Sequence, residues 1–204
     1  AFNHMNQKII VQNQEDAELL KKWGVLNFNN IFLIKSSGIL LKNFINLDEP
    51  SGTPVVCFAA RLLIDKGIYD FVHAAKLLKE RGIQARFYIA GDLDADNPSG
   101  LSINDLNKLK EDVNVEILGY QKDIPKLYAR SHIICLPSYR EGLPKSLIEA
   151  AAAGRPVVTT DVPGCRDAII PNKTGLLVPV KNPQKLADAL QRLIKNPKER
   201  IAMG

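Results

Sequence analysis

The sequence has few aromatic residues and no long apolar run, and each absence argues against a class of protein. Aromatic residues make up 6% of the 204 residues, within an apolar fraction of 46%. This composition favours an α/β protein over a β-sandwich. No apolar run approaches the roughly 20 residues of a membrane-spanning helix. The first residues, AFNHMNQ, lack the charged start and apolar core of a secretion signal, so we expect a cytoplasmic protein.

Cysteine is also scarce, and its positions do not resemble a disulfide framework or a metal site. Cys57, Cys135 and Cys165 are odd in number and widely separated, and no two of them have metal-ligand spacing. Cys57 and Cys135 lie in the apolar runs VVCFAA and HIICLP. We expect structural thiols in a reducing compartment.

The charge is moderately basic, with a net value of +5 and a pI near 9.1. Such a balance suits an anionic ligand, a nucleic acid or an acidic membrane surface. The basic residues are scattered, however, and lack the aromatic-interleaved clusters that bind RNA or single-stranded DNA. We therefore expect no nucleic-acid partner.

From residue 54 onward, apolar runs alternate with amphipathic stretches. The runs are continuous, which is typical of strands buried on both faces of a parallel sheet; they cover residues 55–60, 85–91, 115–119, 132–137, 156–160 and 175–179. Helices are predicted at 66–81, 102–111, 123–130, 144–153 and 183–195. Asp65 and Gly82 are the expected ends of the first helix, and Pro144 and Gly154 those of the fourth. This alternation predicts a doubly wound parallel sheet.

Residues 1–50 are less regular. KIIVQ (8–12) and NIFLIK (30–35) predict strands, and EDAELLKKWG (15–24) predicts a helix between them. We interpret them as the first βαβ part of one domain that covers residues 1–204. The chain has no initial Met and stops at RIAMG as another helix begins, which predicts a fragment of a longer protein.

Ligands of open α/β sheets bind at the carboxyl ends of the strands, and one loop predicted there is basic. Arg61 leaves the first strand of the repeat, and Lys66 is expected in the first turn of the next helix. A cation at the positive end of a helix dipole is unfavourable unless an anion is present. This Arg-x4-Lys loop is therefore typical of a diphosphate clamp. The alternative is two solvated charges, with Asp65 neutralising one of them.

A second predicted loop is acidic and lies within residues 138–164. Glu141 precedes a Gly–Leu–Pro turn, and Glu149 lies more than one turn inside the next helix. Gly142 permits close approach of the backbone to a ligand, and carboxylates can accept hydrogen bonds from the vicinal hydroxyls of a ribose or hexose. In the alternative, Glu149 forms an i,i+4 ion pair with Lys145, in the weaker of the two orientations.

The order and spacing of these motifs resemble the donor-binding domain of the retaining, family-four-type glycosyltransferases of GT-B fold (glycosyl transferases group 1). The resemblance covers roughly residues 8–204. It rests on RLLIDKG, IAGD, GYQKDIPKLYARSHIICLPSYREGLPKSLIEAAAAGRPVVTTDVPGCRD and NKTGLLVP. It implies a Rossmann-like sheet that is one half of a GT-B fold, without the N-terminal acceptor domain and the last C-terminal helix.

The resemblance also implies a role for each matching residue. Arg61 and Lys66 would hold the donor diphosphate and steady the leaving group. Glu141 would contact the transferred sugar near its reacting carbon, either as a nucleophile or as a positioning group, and Glu149 would bind the ribose hydroxyls. The other implied donor-binding residues are Gly91, Tyr120, Ile124, Gly142, Leu143, Pro144 and Lys145. His4, His73 and His132 match no catalytic position of the family, and His73 and His132 are expected to be structural.

The implied reaction is transfer of a hexosyl or N-acetylhexosaminyl group from a nucleotide sugar, expected to be a UDP-sugar. The acceptor would be a glycan or a lipid-linked glycan in bacterial surface-polysaccharide synthesis, such as that of lipopolysaccharide or capsule, at the cytoplasmic face of the inner membrane. No cofactor or metal is implied, and Asp94-Ala-Asp96 lies in a polar loop. The implied partners are the donor and the acceptor domain of the same polypeptide, without which the fragment would have little or no activity.

Two alternatives remain open: a non-catalytic sugar-nucleotide-binding module, and a GT-B relative such as a UDP-sugar epimerase. A nucleotide-binding dehydrogenase is disfavoured because no G-x-G-x-x-G follows the first strand.

Overall fold

The computed structural model describes residues 8–24, 30–44, 48–112 and 115–204. The main sheet has six parallel strands: β3 (Val55–Ala59), β4 (Arg86–Ala90), β5 (Val115–Gly119), β6 (Ile133–Leu136), β7 (Val157–Thr160) and β8 (Gly175–Val178). Their order across the sheet is β5-β4-β3-β6-β7-β8. The strand order reverses between β3 and β6, so the predicted doubly wound α/β sheet is confirmed.

The helices around this sheet lie where the sequence predicts them. They are α2 (Ile68–Glu80), α3 (Ile103–Asp112), α4 (Ile124–Ala129), α5 (Lys145–Ala152) and α7 (Pro183–Lys195). Gly82 and Gly154 have positive φ angles of 70° and 63° just beyond α2 and α5, as expected of helix-ending glycines. The final α8 (Pro197–Met203) is the helix expected near RIAMG, whereas the short α6 (Pro163–Asp167) was not predicted.

The core explains why the strand prediction holds. Every residue of β3 is buried, and Phe58 on this strand packs against Phe71 of α2 with ring centroids 5.6 Å apart. Phe71 also meets Phe87 of β4 at 5.9 Å. A strand covered on both faces must be apolar at each position, which is why its sequence shows no alternation.

The predicted capping of α2 by Asp65 is wrong. Ile64–Lys66 form a turn of 3-10 helix, and Gly67, with φ 75°, is the N-cap of α2 without a side-chain cap. A Cβ atom at Gly67 would overlap with the carbonyl oxygen of Pro137. The chain therefore needs glycine here both for its left-handed conformation and for its close approach to the end of β6.

The first part of the chain has a sheet of its own. β1 (Ile9–Val11), α1 (Gln14–Lys22) and β2 (Ile31–Leu33) form the predicted βαβ unit. Within the described ranges, β1 and β2 pair in parallel with each other and not with the six-stranded sheet. The interpretation of residues 1–204 as one domain stays a prediction.

The cysteines and His132 have structural surroundings. Cys57, Cys135 and Cys165 are buried and free, and burial raises the pKa of Cys57 to about 12 and that of Cys165 to about 11. His132 is buried, and its Nδ1 accepts a hydrogen bond from the backbone N–H of Val55 at 3.0 Å. His4 lies outside the described residues.

Of the helices in the described ranges, none combines the length and the apolar character that crossing a membrane would require.

Candidate functional site

Two charged loops meet at the carboxyl edge of the main sheet. The basic loop (residues 61–66) follows β3, and the acidic loop (residues 138–144) follows β6 and leads into α5. β3 and β6 are hydrogen-bonded neighbours in parallel register. The reversal of strand order thus brings together two segments that are about 75 positions apart in the sequence. The contact between Lys66 and Glu141 shows this.

Lys66 and Glu141 form an ion pair across the two loops. The Lys66 Nζ donates to the Glu141 Oε1 at 2.6 Å, and the side chains are only 19% and 10% exposed. Lys66 ends the 3-10 turn before α2, so its predicted place in the first turn of that helix is wrong. Gly67, in its left-handed conformation, separates the 3-10 turn from α2. The Lys66 side chain can therefore extend to the acidic loop.

Backbone contacts hold the two loops together next to this ion pair. The carbonyl oxygen of Asp65 accepts hydrogen bonds from the Tyr139 N–H at 2.8 Å and from the Ser138 hydroxyl at 3.0 Å. The Thr160 hydroxyl donates to the carbonyl oxygen of Ser138. Asp65 therefore acts through its main chain, and the alternative in which its side chain neutralises a neighbouring cation has no counterpart among the ion pairs of the described residues.

The turn at residues 141–144 is enclosed by two close approaches. A Cβ atom added at Gly164, the second residue of α6, would overlap with the carbonyl oxygen of Gly142 and lie 2.6 Å from that of Glu141. A Cβ atom added at Gly142 would overlap with the side-chain oxygen of Gln12. Gly142 is therefore closely approached by Gln12 of the βαβ unit, and its predicted approach to a ligand stays a prediction. Leu143 and Pro144 complete the turn, with Pro144 as the N-cap of α5.

A cavity of about 300 Å³ lies beside these loops. Five of the predicted site residues line it: Arg61, Gly91, Tyr120, Ile124 and Glu149. The remaining lining residues are Ala59, Ala60, Ala90, Asp92, Gln121, Tyr128 and Ser146. A partly apolar cavity with a few polar side chains at its mouth is a typical small-molecule site.

Glu149 lies both beside Lys145 and at the wall of the cavity. Its side chain is 13% exposed and lies 3.4 Å from the Nζ of Lys145, which is the i,i+4 pair of the structural alternative. Burial raises the pKa of Glu149, and the charge of Lys145 lowers it in part. The same carboxylate lines the cavity, where it could accept hydrogen bonds from a pair of hydroxyls.

Arg61 is the exposed member of the group. Its Nη1 lies 2.7 Å from the Oδ2 of Asp94, and the two side chains are 63% and 27% exposed. Asp94 therefore serves as a counter-ion to an arginine. Within the ranges described, no three side chains of His, Cys, Asp or Glu are grouped as a metal site would need. The expectation of a metal-free site stays a prediction.

Several site residues were missed by sequence reasoning. Tyr128 and Ser146 line the cavity because α4 and α5 border it, and Gln121 lines it from the loop between β5 and α4. Tyr128 is fully buried, and its hydroxyl donates to the Ser146 carbonyl oxygen at 3.3 Å. Gln12 and Asn13 reach the acidic loop from the βαβ unit. The helical period of α4 could have indicated Tyr128, but Gln12 and Asn13 show no signal of a contact so far away.

The comparison with protein families gives one match that covers most of the chain. The model of the family described as glycosyl transferases group 1 matches residues 42–204. The match starts after the βαβ unit and includes both charged loops.

Two curated relatives are bacterial glycosyltransferases by name. The N,N'-diacetylbacillosaminyl-diphospho-undecaprenol alpha-1,3-N-acetylgalactosaminyltransferase of Campylobacter jejuni is 35% identical over an alignment covering 100% of this chain and 55% of the relative. The capsular polysaccharide biosynthesis glycosyltransferase CapM of Staphylococcus aureus is 27% identical, covering 74% of this chain and 39% of CapM. The chain thus spans about half or less of the length of these relatives.

Solved structures show the same fold. Sucrose-phosphate synthase from Thermosynechococcus elongatus superimposes with a TM-score of 0.83 and 26% identity, covering 95% of this chain and 50% of that protein. Anabaena HepE, solved in complex with UDP and glucose, has a TM-score of 0.81 over 97% of this chain and 56% of its own. Its identity is 18%, so this likeness shows the fold alone.

Proposed function

The chain belongs to the glycosyl transferases group 1 family, and from this premise we propose that it binds the donor of a retaining glycosyltransferase. The enzyme moves a hexosyl or N-acetylhexosaminyl group from a UDP-sugar to a glycan or lipid-linked acceptor. The observation that carries this proposal is the common edge of Arg61, Lys66, Glu141 and Glu149, with a cavity beside it. The relative from C. jejuni is named for transfer to an undecaprenol-linked sugar, which supports a lipid-linked acceptor.

The nucleoside occupies the cavity in this proposal. Tyr120 and Ile124 flank the base, and the Glu149 carboxylate accepts hydrogen bonds from the ribose hydroxyls. The Glu149 side chain is only 13% exposed, and its partial burial strengthens these bonds because it lowers the local dielectric.

The diphosphate lies between the cavity and the acidic loop. Arg61 and Lys66 neutralise it, and the free N–H groups at the start of α5 add the positive end of a helix dipole. Negative charge grows on the departing phosphate oxygen as the glycosidic bond breaks, so these fixed positive groups lower the barrier. To bind the phosphate, Arg61 must break its ion pair with Asp94. Lys66 can keep its ion pair with Glu141 and contact the phosphate with its remaining N–H donors.

Glu141 positions the sugar rather than attacking it. Its side chain is only 10% exposed and is paired with Lys66 at 2.6 Å, and a carboxylate neutralised in this way is a weak nucleophile. It remains a good acceptor for sugar hydroxyls because only one of its oxygens contacts Lys66. The proposed metal-free site follows from the same charges, and EDTA should leave nucleotide binding unchanged.

The acceptor half is supplied by the rest of a longer polypeptide, since the relatives are about twice as long as this chain. Exposed large apolar side chains concentrate in the βαβ unit and the segment after it: Ile10, Trp23, Phe32, Leu33, Ile34, Leu40 and Leu41. A concentration of exposed apolar side chains in one part of the chain supports an interface there. This chain should therefore bind the dye ANS more strongly than the longer polypeptide does at equal concentration, and equal binding would contradict this placement. The longer polypeptide is proposed to act at the cytoplasmic face of the inner membrane, where lipid-linked acceptors are embedded.

Calorimetric titration of the chain with UDP, UDP-hexoses, UDP-N-acetylhexosamines and GDP-mannose tests the proposal. We expect UDP and at least one UDP-sugar to bind, with no transfer by the chain alone and transfer by the longer polypeptide. A folded chain that binds none of these nucleotides would overturn the proposal. Donor binding without transfer by the longer polypeptide would indicate a non-catalytic module instead.

A further inference from the structure

Asn13 is a buried amide at the contact between the βαβ unit and the acidic loop. Only 1% of the surface of Asn13 is exposed to solvent. The side-chain oxygen accepts a hydrogen bond from the backbone N–H of Asp16 at 2.8 Å and so caps α1. The side-chain nitrogen donates to the carbonyl oxygen of Gly142 at 3.0 Å and, at the long limit of 3.5 Å, to that of Glu141. It also donates to the Oδ2 of Asp16 at 2.9 Å.

The partners fix the orientation of this amide. A backbone N–H can only donate and a carbonyl oxygen can only accept, so the oxygen of Asn13 must face α1 and its nitrogen must face the acidic loop. One side chain therefore performs two separable tasks. It caps a helix of the βαβ unit, and it holds the main chain that carries Glu141.

Neighbouring contacts make this attachment firm. Gln12 packs against Gly142, and Gly164 lies close to the carbonyl oxygens of Glu141 and Gly142. Glu15 accepts from Arg166 at 2.5 Å, which ties α1 to α6. Gln12 of the βαβ unit and Gly164 of α6 thus both lie against the Glu141–Gly142 backbone, and Asn13 hydrogen-bonds to it directly.

We propose that Asn13 is a positioning residue for the sugar subsite, acting through the main chain of Glu141 and Gly142. This inference rests on the proposed function, because it takes Glu141 as the group that contacts the donor sugar. With Asn13 in place, the Glu141 carboxylate is held towards the sugar while Lys66 pairs with it. Nucleoside recognition depends on Glu149 and the cavity, and Arg61 at the cavity wall binds the diphosphate; Asn13 contacts none of these. Asn13 therefore affects the affinity for the sugar much more than the affinity for UDP.

The variant Asn13→Asp separates the two tasks. Aspartate is as good an N-cap as asparagine, but it cannot donate to the Gly142 carbonyl oxygen or to the Asp16 carboxylate, and it places a negative charge beside both. Asn13→Ser is the uncharged companion: serine also caps a helix and is too short to bridge to the acidic loop. Asn182→Asp is the matched control, because Asn182 caps α7 through the Lys185 N–H at 3.0 Å and its contacts do not include the acidic loop.

The measurement is the ratio of two dissociation constants by calorimetry, that for a UDP-sugar divided by that for UDP. The UDP-sugar is whichever of UDP-glucose, UDP-galactose and their N-acetyl forms binds the unaltered chain most tightly. We expect this ratio to rise about fivefold to tenfold in Asn13→Asp and Asn13→Ser, the usual size for one lost hydrogen bond. The UDP constant should stay within about twofold, and Asn182→Asp should change neither.

The outcomes distinguish this inference from the proposed function. Failure of the unaltered chain to bind UDP would reject the proposed function itself. If UDP binds but the ratio is unchanged in both Asn13 variants, or if no UDP-sugar binds, the positioning role is wrong while the nucleotide site stands. A parallel loss of UDP and UDP-sugar affinity would also overturn the inference, because it would indicate a general structural effect.

Discussion

Two ion pairs at the same edge of the sheet differ in their burial. Lys66 and Glu141 are 19% and 10% exposed, whereas Arg61 and Asp94 are 63% and 27% exposed. Both join a cation of the basic loop to a carboxylate distant in sequence, at 2.6 and 2.7 Å. The first cation is enclosed between loops that are themselves hydrogen-bonded together. The second extends into solvent, so it can change partners at little cost.

Because of this difference in burial, the two ion pairs should contribute differently to the stability of the fold and to ligand binding. A buried ion pair is costly to break because one charge is left without a partner, whereas an exposed pair contributes about 0–1 kcal/mol. We therefore expect Lys66 to be important for the fold as well as for the ligand, and Arg61 for the ligand alone.

The largest effect is expected from Lys66→Met. This change leaves the buried Glu141 without its cation, so we expect the free energy of unfolding to fall by about 3 kcal/mol in urea titrations. Arg61→Met is the control and should lower it by less than about 1 kcal/mol. Equal losses in the two variants would remove the distinction between the pairs.

Arg61→Met should show its effect on binding. We expect the affinity for UDP to fall about tenfold to thirtyfold in calorimetry, since a charged hydrogen bond to phosphate is worth about 1.5–2 kcal/mol. The affinity for uridine, which has no phosphate, should not change. Arg86→Met removes another exposed ion pair, with Glu116 at 2.8 Å, and should affect neither ligand. A loss of uridine affinity would place Arg61 at the nucleoside instead.

Glu149→Gln should lower the affinity for UDP about fivefold to tenfold, because an amide is a poorer acceptor for the ribose hydroxyls than a carboxylate. If Glu149 serves only its pair with Lys145, binding should stay unchanged, and stability should fall by about 0.3–0.5 kcal/mol.

The pH dependence of stability gives a further test of Glu149. Its pKa is raised by burial from the ordinary 4.5, so the folded state binds its proton more tightly than the unfolded state. The unaltered chain should therefore lose stability relative to Glu149→Gln as the pH rises from below 4.5 through the folded-state pKa. Urea titrations from pH 4 to pH 7 would show this, and the opposite slope would mean that Lys145 outweighs the desolvation.

The smallest effect is expected from Asp94→Asn. The ion pair with Arg61 is exposed, so the free energy of unfolding should change by less than about 0.5 kcal/mol. The affinity for UDP should rise about twofold, because Arg61 no longer has to leave a carboxylate before it contacts phosphate. A loss of affinity would show that Asp94 holds Arg61 in its binding position.

The strands and main helices could be predicted because burial on both faces determines residue type at every position, as in β3. The position of Lys66 could not, since it depends on Gly67 lying against the carbonyl oxygen of Pro137. Apart from the i,i+4 pair of Lys145 and Glu149, the side-chain partners at the site are also distant in sequence. Asn13 contacts a carbonyl oxygen 129 positions away, and a carbonyl group is present in every residue. Local sequence determines which charges lie at the edge of the sheet, and the fold determines which of them pair.

The three buried thiols make it possible to measure opening motions of the chain by chemical labelling. Cys57 and Cys135 lie on the central strands β3 and β6, so a thiol reagent can modify them only when the whole sheet opens. Cys165 lies on α6, within the electrostatic influence of both Glu141 and Lys66. Its labelling rate therefore records local opening beside the acidic loop. A mass-spectrometric time course would resolve the two kinds of opening in a single sample, without introducing a probe.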